Sequence, residues 1–397
     1  MTHRTRTRFT LITWLVLAVL VLAGCGGQVA PSSWPGLAPG EGVAYLTATA
    51  KVYAIHAADG SKKWEYEHKV ASTGLLGSGS AADTVHAQPI VGSGLVYLGT
   101  DGGYLIAVDA ATGAEKWKFV PETPSVLFGL IKEKPAPVYA GPVLSGERVI
   151  FAGTSHKVYA LDAASGRPAP GWEPYNAGER VWGTPLVVSD TVYLGTLSHK
   201  LIALDATTGK ERWKFDQAKG TLAGSPVFDN GVIYVGSFDD HLYAVDAATG
   251  ALRWSYNANN WVWEGPAVVS GTLYFGDVSG NVYALDAATQ QPLWVTDLSK
   301  LATPGGAVRA TPLYADDVLY VGTGNGTLFA LKADTGQALW PQPFKVPNAQ
   351  FLTTPLMQDG LLLVAPLGTP ALLYGLNPAS GNPPPTTQWL FPVPSGK

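Results

Sequence analysis

The sequence predicts an all-β fold, an eight-bladed β-propeller with four antiparallel strands per blade, and three regularities predict it. The first is a phrase ending in Trp that recurs eight times, as in LIAVDAATGAEKW and LYAVDAATGALRW, with closing residues Trp64, Trp117, Trp172, Trp213, Trp254, Trp294, Trp340 and Trp389. The second is the spacing of those residues, 41, 41 and 40 through the regular stretch from Trp172 to Trp294. A period of roughly 40 to 45 made of short strands marks one propeller blade per repeat. The third is a Pro behind a small residue at the opposite end of each unit: Pro89, Pro142, Pro185, Pro226, Pro266, Pro312 and Pro355, with Pro35 as first member.

Each repeat divides into the four strands of a blade. In the fourth copy, TPLVVS, TVYLGT, KLIALDA and KERWKF are separated by Ser189-Asp190, Ser198-His199 and Thr207-Thr208-Gly209; short runs rich in β-branched and aromatic residues between such breakers read as strands. The Pro marks the start of the innermost strand, where no ladder donor is needed. The DAxTG phrase forms the tight turn before the outermost strand, its Asp bonding nearby backbone N–H groups and its Gly taking a positive φ. The tryptophans follow that turn and are expected to wedge between neighbouring blades, a packing role that recurs at every blade as a binding residue would not.

Ahead of the propeller, Arg4, Arg6 and Arg8 precede the apolar run LITWLVLAVLVLA. A basic start, an apolar core and small residues at a cleavage point make a secretory signal peptide over residues 1–24. LAGC, Leu22 to Cys25, resembles the lipobox of bacterial lipoproteins, which implies that Cys25 is lipidated and begins the mature chain, with 25–33 as a Gly/Pro/Ser tether and 34–397 as the propeller. Gly26 follows where an inner-membrane retention signal would place an Asp. The expected destination is therefore the outer membrane of a two-membrane bacterium, or otherwise the outer leaflet of the cytoplasmic membrane. As the sole cysteine of the chain, Cys25 leaves no internal disulfide, so stability must come from the packed blades.

Charged residues make up 14% of the chain and hydrophobic ones 46%, with 46 Gly and 30 Pro to supply turns, as expected of a chain made mostly of short buried strands. Without the three signal arginines, 23 basic residues face 30 acidic ones, and an acidic globule has no long-range attraction for nucleic acid.

The phrase ALDAxTGxxxW resembles the repeat of the pyrroloquinoline quinone (PQQ) type propellers, found in quinoprotein dehydrogenases and in many non-enzymatic lipoproteins, and it runs through essentially the whole mature chain. The non-enzymatic branch includes the propeller lipoprotein of the outer-membrane β-barrel assembly machine, a docking scaffold similar in length, lipobox and blade count. The enzymes of this family grip the quinone with an adjacent cysteine pair and place Ca²⁺ beside a catalytic Asp; this chain has no second cysteine. The resemblance implies a class of fold and is not specific for an activity; the fold, the lipobox and the missing catalytic apparatus together lead to the expectation of a non-enzymatic, monomeric envelope scaffold with a protein partner, without catalytic residues, cofactor or metal. PQQ and calcium belong only to the alternative of a quinoprotein oxidoreductase, and a glycan or small-ligand binder is a further alternative. No GxSxG elbow or phosphate loop is present.

Function is expected on the face formed by the loops that enter the innermost strands and the loops between second and third strands. The long entering loops are 68–86 and 120–138; the second carries Val126, Leu127, Phe128, Leu130 and Ile131, either a cover for blades two and three or a partner-docking patch. Three places before each strand-opening Pro stand His86, Tyr139, Trp182, Ala223, Trp263, Arg309 and Leu352. This ring at the channel mouth varies from blade to blade, with Glu264 and Arg180 beside it. It serves either as a plug or as an aromatic platform for a planar or sugar-like ligand. His156, His199 and His241 recur at loop positions about a blade width apart, too far for one metal ion.

Overall fold

The computed structural model describes residues 34–74, 77–85, 88–121, 125–126, 131–132, 135–302, 304–378 and 387–392. The expected signal peptide and tether, with Cys25, lie outside them. Eight four-stranded antiparallel sheets follow one another along the chain, joined by two added two-stranded hairpins, Lys69–Gly74 with Gly77–Ala82 and Ser125–Val126 with Ile131–Lys132. Blade four consists of Leu186–Val188, Thr191–Gly195, Leu201–Asp205 and Glu211–Phe215, the four segments expected from its sequence. In every blade the innermost strand opens on the residue after the marker proline, from Gly36–Gly40 after Pro35 to Leu356–Gln358 after Pro355. A single helical turn, Leu298–Lys300, occurs among the described residues.

The hydrophobic clusters lie between sheets, and the tryptophan phrase explains their outer end. Trp213 stands opposite Ala203 of the third strand across a local bulge, and Trp64, Trp117, Trp254 and Trp294 oppose Ala54, Ala107, Ala244 and Ala284 in the same way. A small residue there leaves room for the indole to turn toward the next blade. The Trp213 Nε1 donates to the Ala247 carbonyl at 3.1 Å, and the ring lies against Gly250, where an added Cβ would sit 2.6 Å from it. The same clip joins Trp64 to Ala110, Trp117 to Ala163, Trp294 to Ala333 and Trp389 to Ala57, at 2.9–3.1 Å. Tyrosines of the second strands add to it, with Tyr45, Tyr97 and Tyr193 donating to the carbonyls of Ala110, Ala163 and Ala247. The glycine therefore has two duties, a left-handed φ of 73° at Gly250 and a bare face for the indole.

The turn itself is closed by its aspartate: Asp109 Oδ1 accepts from the backbone N–H groups of Ala111 and Thr112 and from the Thr112 hydroxyl at 2.9–3.0 Å. In blade six the glycine is replaced by Gln290, which holds a φ of 62°. Trp254, whose indole faces that turn from blade five, packs with Ala287 and makes no Nε1 hydrogen bond among the described residues.

Blades three and seven depart from the expectation that the tryptophan sits on the outermost strand. Their outer strands are reduced to Tyr175–Asn176 and Phe344–Lys345, so Trp172 and Trp340 precede them. Pro168 and Pro170 in one blade, and Pro341 and Pro343 in the other, withhold the ladder donors that would continue the pairing. Both indoles are still buried, 6% and 2% exposed, but their Nε1 atoms lack a partner among the described residues.

The ring closes by direct packing of blade eight on blade one. Each of these blades takes its four strands from one continuous stretch of chain. Leu37, Leu46 and Ile55 share a core with Leu361, Leu363 and Phe391. Gln358 Nε2 donates to the Gly40 carbonyl at 2.8 Å, and the Thr353 hydroxyl donates to the Pro35 carbonyl.

Trp213→Ala is expected to lower the unfolding free energy by roughly 3–5 kcal/mol, measured by chemical denaturation. Gln290→Gly relieves a left-handed side chain and is expected to raise it by about 1 kcal/mol.

Candidate functional site at the channel mouth

From blade five to blade eight each entering loop is tied on both sides. Leu222 N–H donates to the Thr196 carbonyl of blade four and Phe238 N–H to the Thr221 carbonyl, so the loop is stitched to the second-to-third-strand loops of the preceding blade and of its own. Val262 and Val308 repeat the first bond, to Ser237 and Asp277. The residue four places before the marker proline is pressed between blades: Val138, Val181, Leu222, Val262, Val308 and Phe351 are at most 2% exposed. In extended chain the next residue points the opposite way, which places the variable ring at the mouth.

Of that ring, Tyr139, Trp182, Trp263 and Arg309 gather round a residue sequence reasoning did not include, Trp34. Its indole reaches across the channel from blade one, 6.3 Å from Trp182 and 5.8 Å from Trp263 between ring centroids. Tyr139 extends the array beyond Trp182 at 6.2 Å. On the other side Phe238 lies 4.7 Å from Trp263 and stacks on Trp261 at 4.8 Å with 5° between planes. The Arg309 guanidinium lies over Trp263 at 5.2 Å, and its Nε is buried without a partner among the described residues. Trp182 and Trp261 are 43% and 44% exposed, whereas Ala223 and Leu352 are buried at 4% and 6% and take no part in the surface.

Below this aromatic layer, Glu264 occupies a position that Ala140, Gly183, Gly224 and Ala310 fill in other blades. Its Oε2 accepts from the Ser225 backbone N–H at 2.8 Å. The carboxyl is partly accessible by surface area yet closely enclosed by neighbouring atoms. Burial pushes its pKa up to about 7, against the smaller opposing effect of the hydrogen bonds from Ser225 and Gly265.

Two other expected groups are placed differently. His156 and His199 hold left-handed φ values of 65° and 67°, at the turn position filled by Gly103, Gly280 and Gly326 in other blades. They occupy a required turn conformation, while His241 Nδ1 pairs with the Asp239 carbonyl at 2.7 Å. Among the described residues no three His, Cys, Asp or Glu side chains come together as a metal would need. His86, Leu127, Phe128 and Leu130 lie outside the described residues, as do the side chains of Val126 and Ile131.

Trp34 escaped the sequence argument because it precedes the first repeat and stands one place before its proline, out of phase with the ring. Phe238 had a signal: it is the aromatic member of a loop position held by Thr154, Leu197, Val278 and Gly324 elsewhere.

The sequence profile of the family described as outer membrane protein assembly factor BamB matches residues 23–193, 169–300, 197–353 and 278–389. Among curated proteins, the quinohemoprotein alcohol dehydrogenase of Comamonas testosteroni is 33% identical over 135 residues, 33% of this chain and 18% of that one. The dehydrogenase subunit of the quinone alcohol dehydrogenase of Gluconacetobacter polyoxogenes is 31% identical over 36% of this chain and 21% of its own. The chain thus spans about a fifth of the length of these relatives. Among solved structures, BamB from Moraxella catarrhalis superposes with a TM-score of 0.62 at 21% identity, covering 83% of this chain and 90% of that one. The Comamonas dehydrogenase superposes with a TM-score of 0.63 at 17% identity, covering 87% and 72%. At these identities the superpositions establish a shared fold.

Raising a carboxyl pKa in the folded state adds stability that is full below the unfolded value and lost as pH rises through the folded one. Stability should therefore fall between about pH 4.5 and 7 through Glu264, and denaturant titrations of Glu264→Gln across that window are expected to give a flatter slope.

Proposed function

The chain belongs to the family of outer membrane protein assembly factor BamB, and from that premise we propose that it is a non-enzymatic, lipid-anchored extracytoplasmic scaffold that holds a protein partner in the cell envelope. The observation that carries this reading is the filled channel mouth. Trp34 of the chain itself lies between Trp182 and Trp263, filling the space between the rings on which a planar ligand would stack, and the aromatic residues around it offer a rigid outward surface. Aromatic anchors on a stiff frame lose little side-chain entropy on binding, which suits them to protein recognition. The anchor in this reading is Cys25, the only cysteine of the chain, following the apolar export segment.

The curated relatives favour a second reading, a PQQ-dependent dehydrogenase. The residues present do not fit that group. There is no second cysteine to form the pair that holds the quinone, no carboxylate cluster suited to a divalent ion among the described residues, and the mouth is occupied by side chains.

Affinity capture from detergent-solubilised envelope is expected to recover a partner protein with the wild type, at several-fold lower yield with Trp182 and Trp263 both changed to Ala. Equal recovery by a folded double variant would move the docking surface elsewhere. Supplying PQQ and Ca²⁺ is expected to produce no dye-linked alcohol oxidation; turnover would replace the scaffold reading with the dehydrogenase.

A further inference from the structure

The two faces of the propeller differ in chemistry. Seven large apolar side chains are exposed among the described residues: Val120, Trp182, Phe228, Trp261, Leu293, Val295 and Leu301. Four of them, Val120, Trp182, Trp261 and Leu301, stand in the loops that enter the innermost strands. Leu293 and Val295 lie on an outermost strand and Phe228 on an innermost one. None stands in the described loops of the opposite face. That face presents the carboxylate-closed turns, from Asp109 to Asp286, where Lys116, Arg212 and Arg253 pair with Asp109, Asp205 and Asp246. It also presents the loops between first and second strands, which carry Glu41, Glu147, Asp316, Asp317 and Asp359 and no Lys or Arg among the described residues.

The chain also enters the propeller on the aromatic face. Trp34 is held at the channel mouth by Trp182 and Trp263, and eight residues lie between it and Cys25. Fully extended, that length spans at most about 30 Å. A lipid on Cys25 would therefore keep the mouth close to the bilayer, whatever path the tether takes.

We propose that the channel-mouth face is a membrane-facing surface, with Trp182 and Trp261 seated in the interfacial layer of the bilayer that holds the anchor. Tryptophan favours that layer because its ring is apolar and its N–H can remain hydrated. The acidic opposite face is repelled by anionic headgroups and points away, so tether, aromatic residues and charge favour one orientation. This inference rests on the anchored reading above, and the partner docked on Trp182 and Trp263 is then one that meets the mouth at the membrane interface.

Once Cys25 is acylated, an introduced cysteine is the only free thiol, so the test uses full-length lipidated chain with Trp261→Cys, Leu301→Cys or Ala248→Cys, the last in a turn of the acidic face. Each is labelled with an environment-sensitive fluorophore and incorporated into phosphatidylethanolamine–phosphatidylglycerol vesicles with brominated acyl chains. Labels at 261 and 301 are expected to be quenched several-fold more than the label at 248. Equal or reversed quenching in protein that floats with the vesicles would overturn the orientation and leave the anchor standing. Protein that does not float would overturn the anchored reading, and this inference with it.

Discussion

One contact sets the rest of this propeller: an indole that lies on a glycine and donates to an alanine carbonyl one blade away. It uses the outermost strand of one blade and the turn of the next, so it can form only when both blades are complete and correctly spaced. The alanine opposite the tryptophan clears the way, the aspartate closes the turn so that the alanine carbonyl faces outward, and the glycine supplies both φ and space. The whole phrase YALDAxTGxxxW is thus the two halves of a single contact, each blade carrying the socket for its predecessor and the key for its successor.

The places where the contact fails are informative about its parts. Where Gln290 replaces the glycine the turn stays left-handed, and Trp254 keeps its apolar packing with no carbonyl partner among the described residues. In blades three and seven, prolines shorten the outer strand, and the indoles remain buried with unpartnered N–H groups. Apolar packing of the ring is common to all these cases and the hydrogen bond is not, so the hydrophobic part is the more tolerant support and the hydrogen bond the directional one.

A ring closed this way leaves its two faces free to differ. The turn face is bound to a repeated, acidic phrase at every blade. The mouth face is released from it, because the entering loops are secured by buried apolar residues and backbone bonds to neighbouring loops, and the residue that follows each of them can vary. That freedom lets one blade carry a tryptophan, the next an alanine and another an arginine on an equally firm base. It also admits a carboxyl, Glu264, where the other blades keep small residues.

The sequence by itself determined the blade count, the strand order, the turn chemistry and the strand-opening prolines, because each is a local requirement repeated at a fixed interval. It also placed Tyr139, Trp182, Trp263 and Arg309 at one mouth, since register from a marker proline is enough to assign a side. Only the tertiary structure decided that Trp34 completes that mouth, that Phe238 and Trp261 extend it, and that Ala223 and Leu352 fall out of it. Those outcomes depend on distances across the channel between blades far apart in the chain, and no periodicity along one chain encodes a distance across a closed ring. The same reason separates the histidines from their repeat: His156 and His199 recur because a left-handed turn recurs, and only the backbone angles reveal that they stand in for glycine.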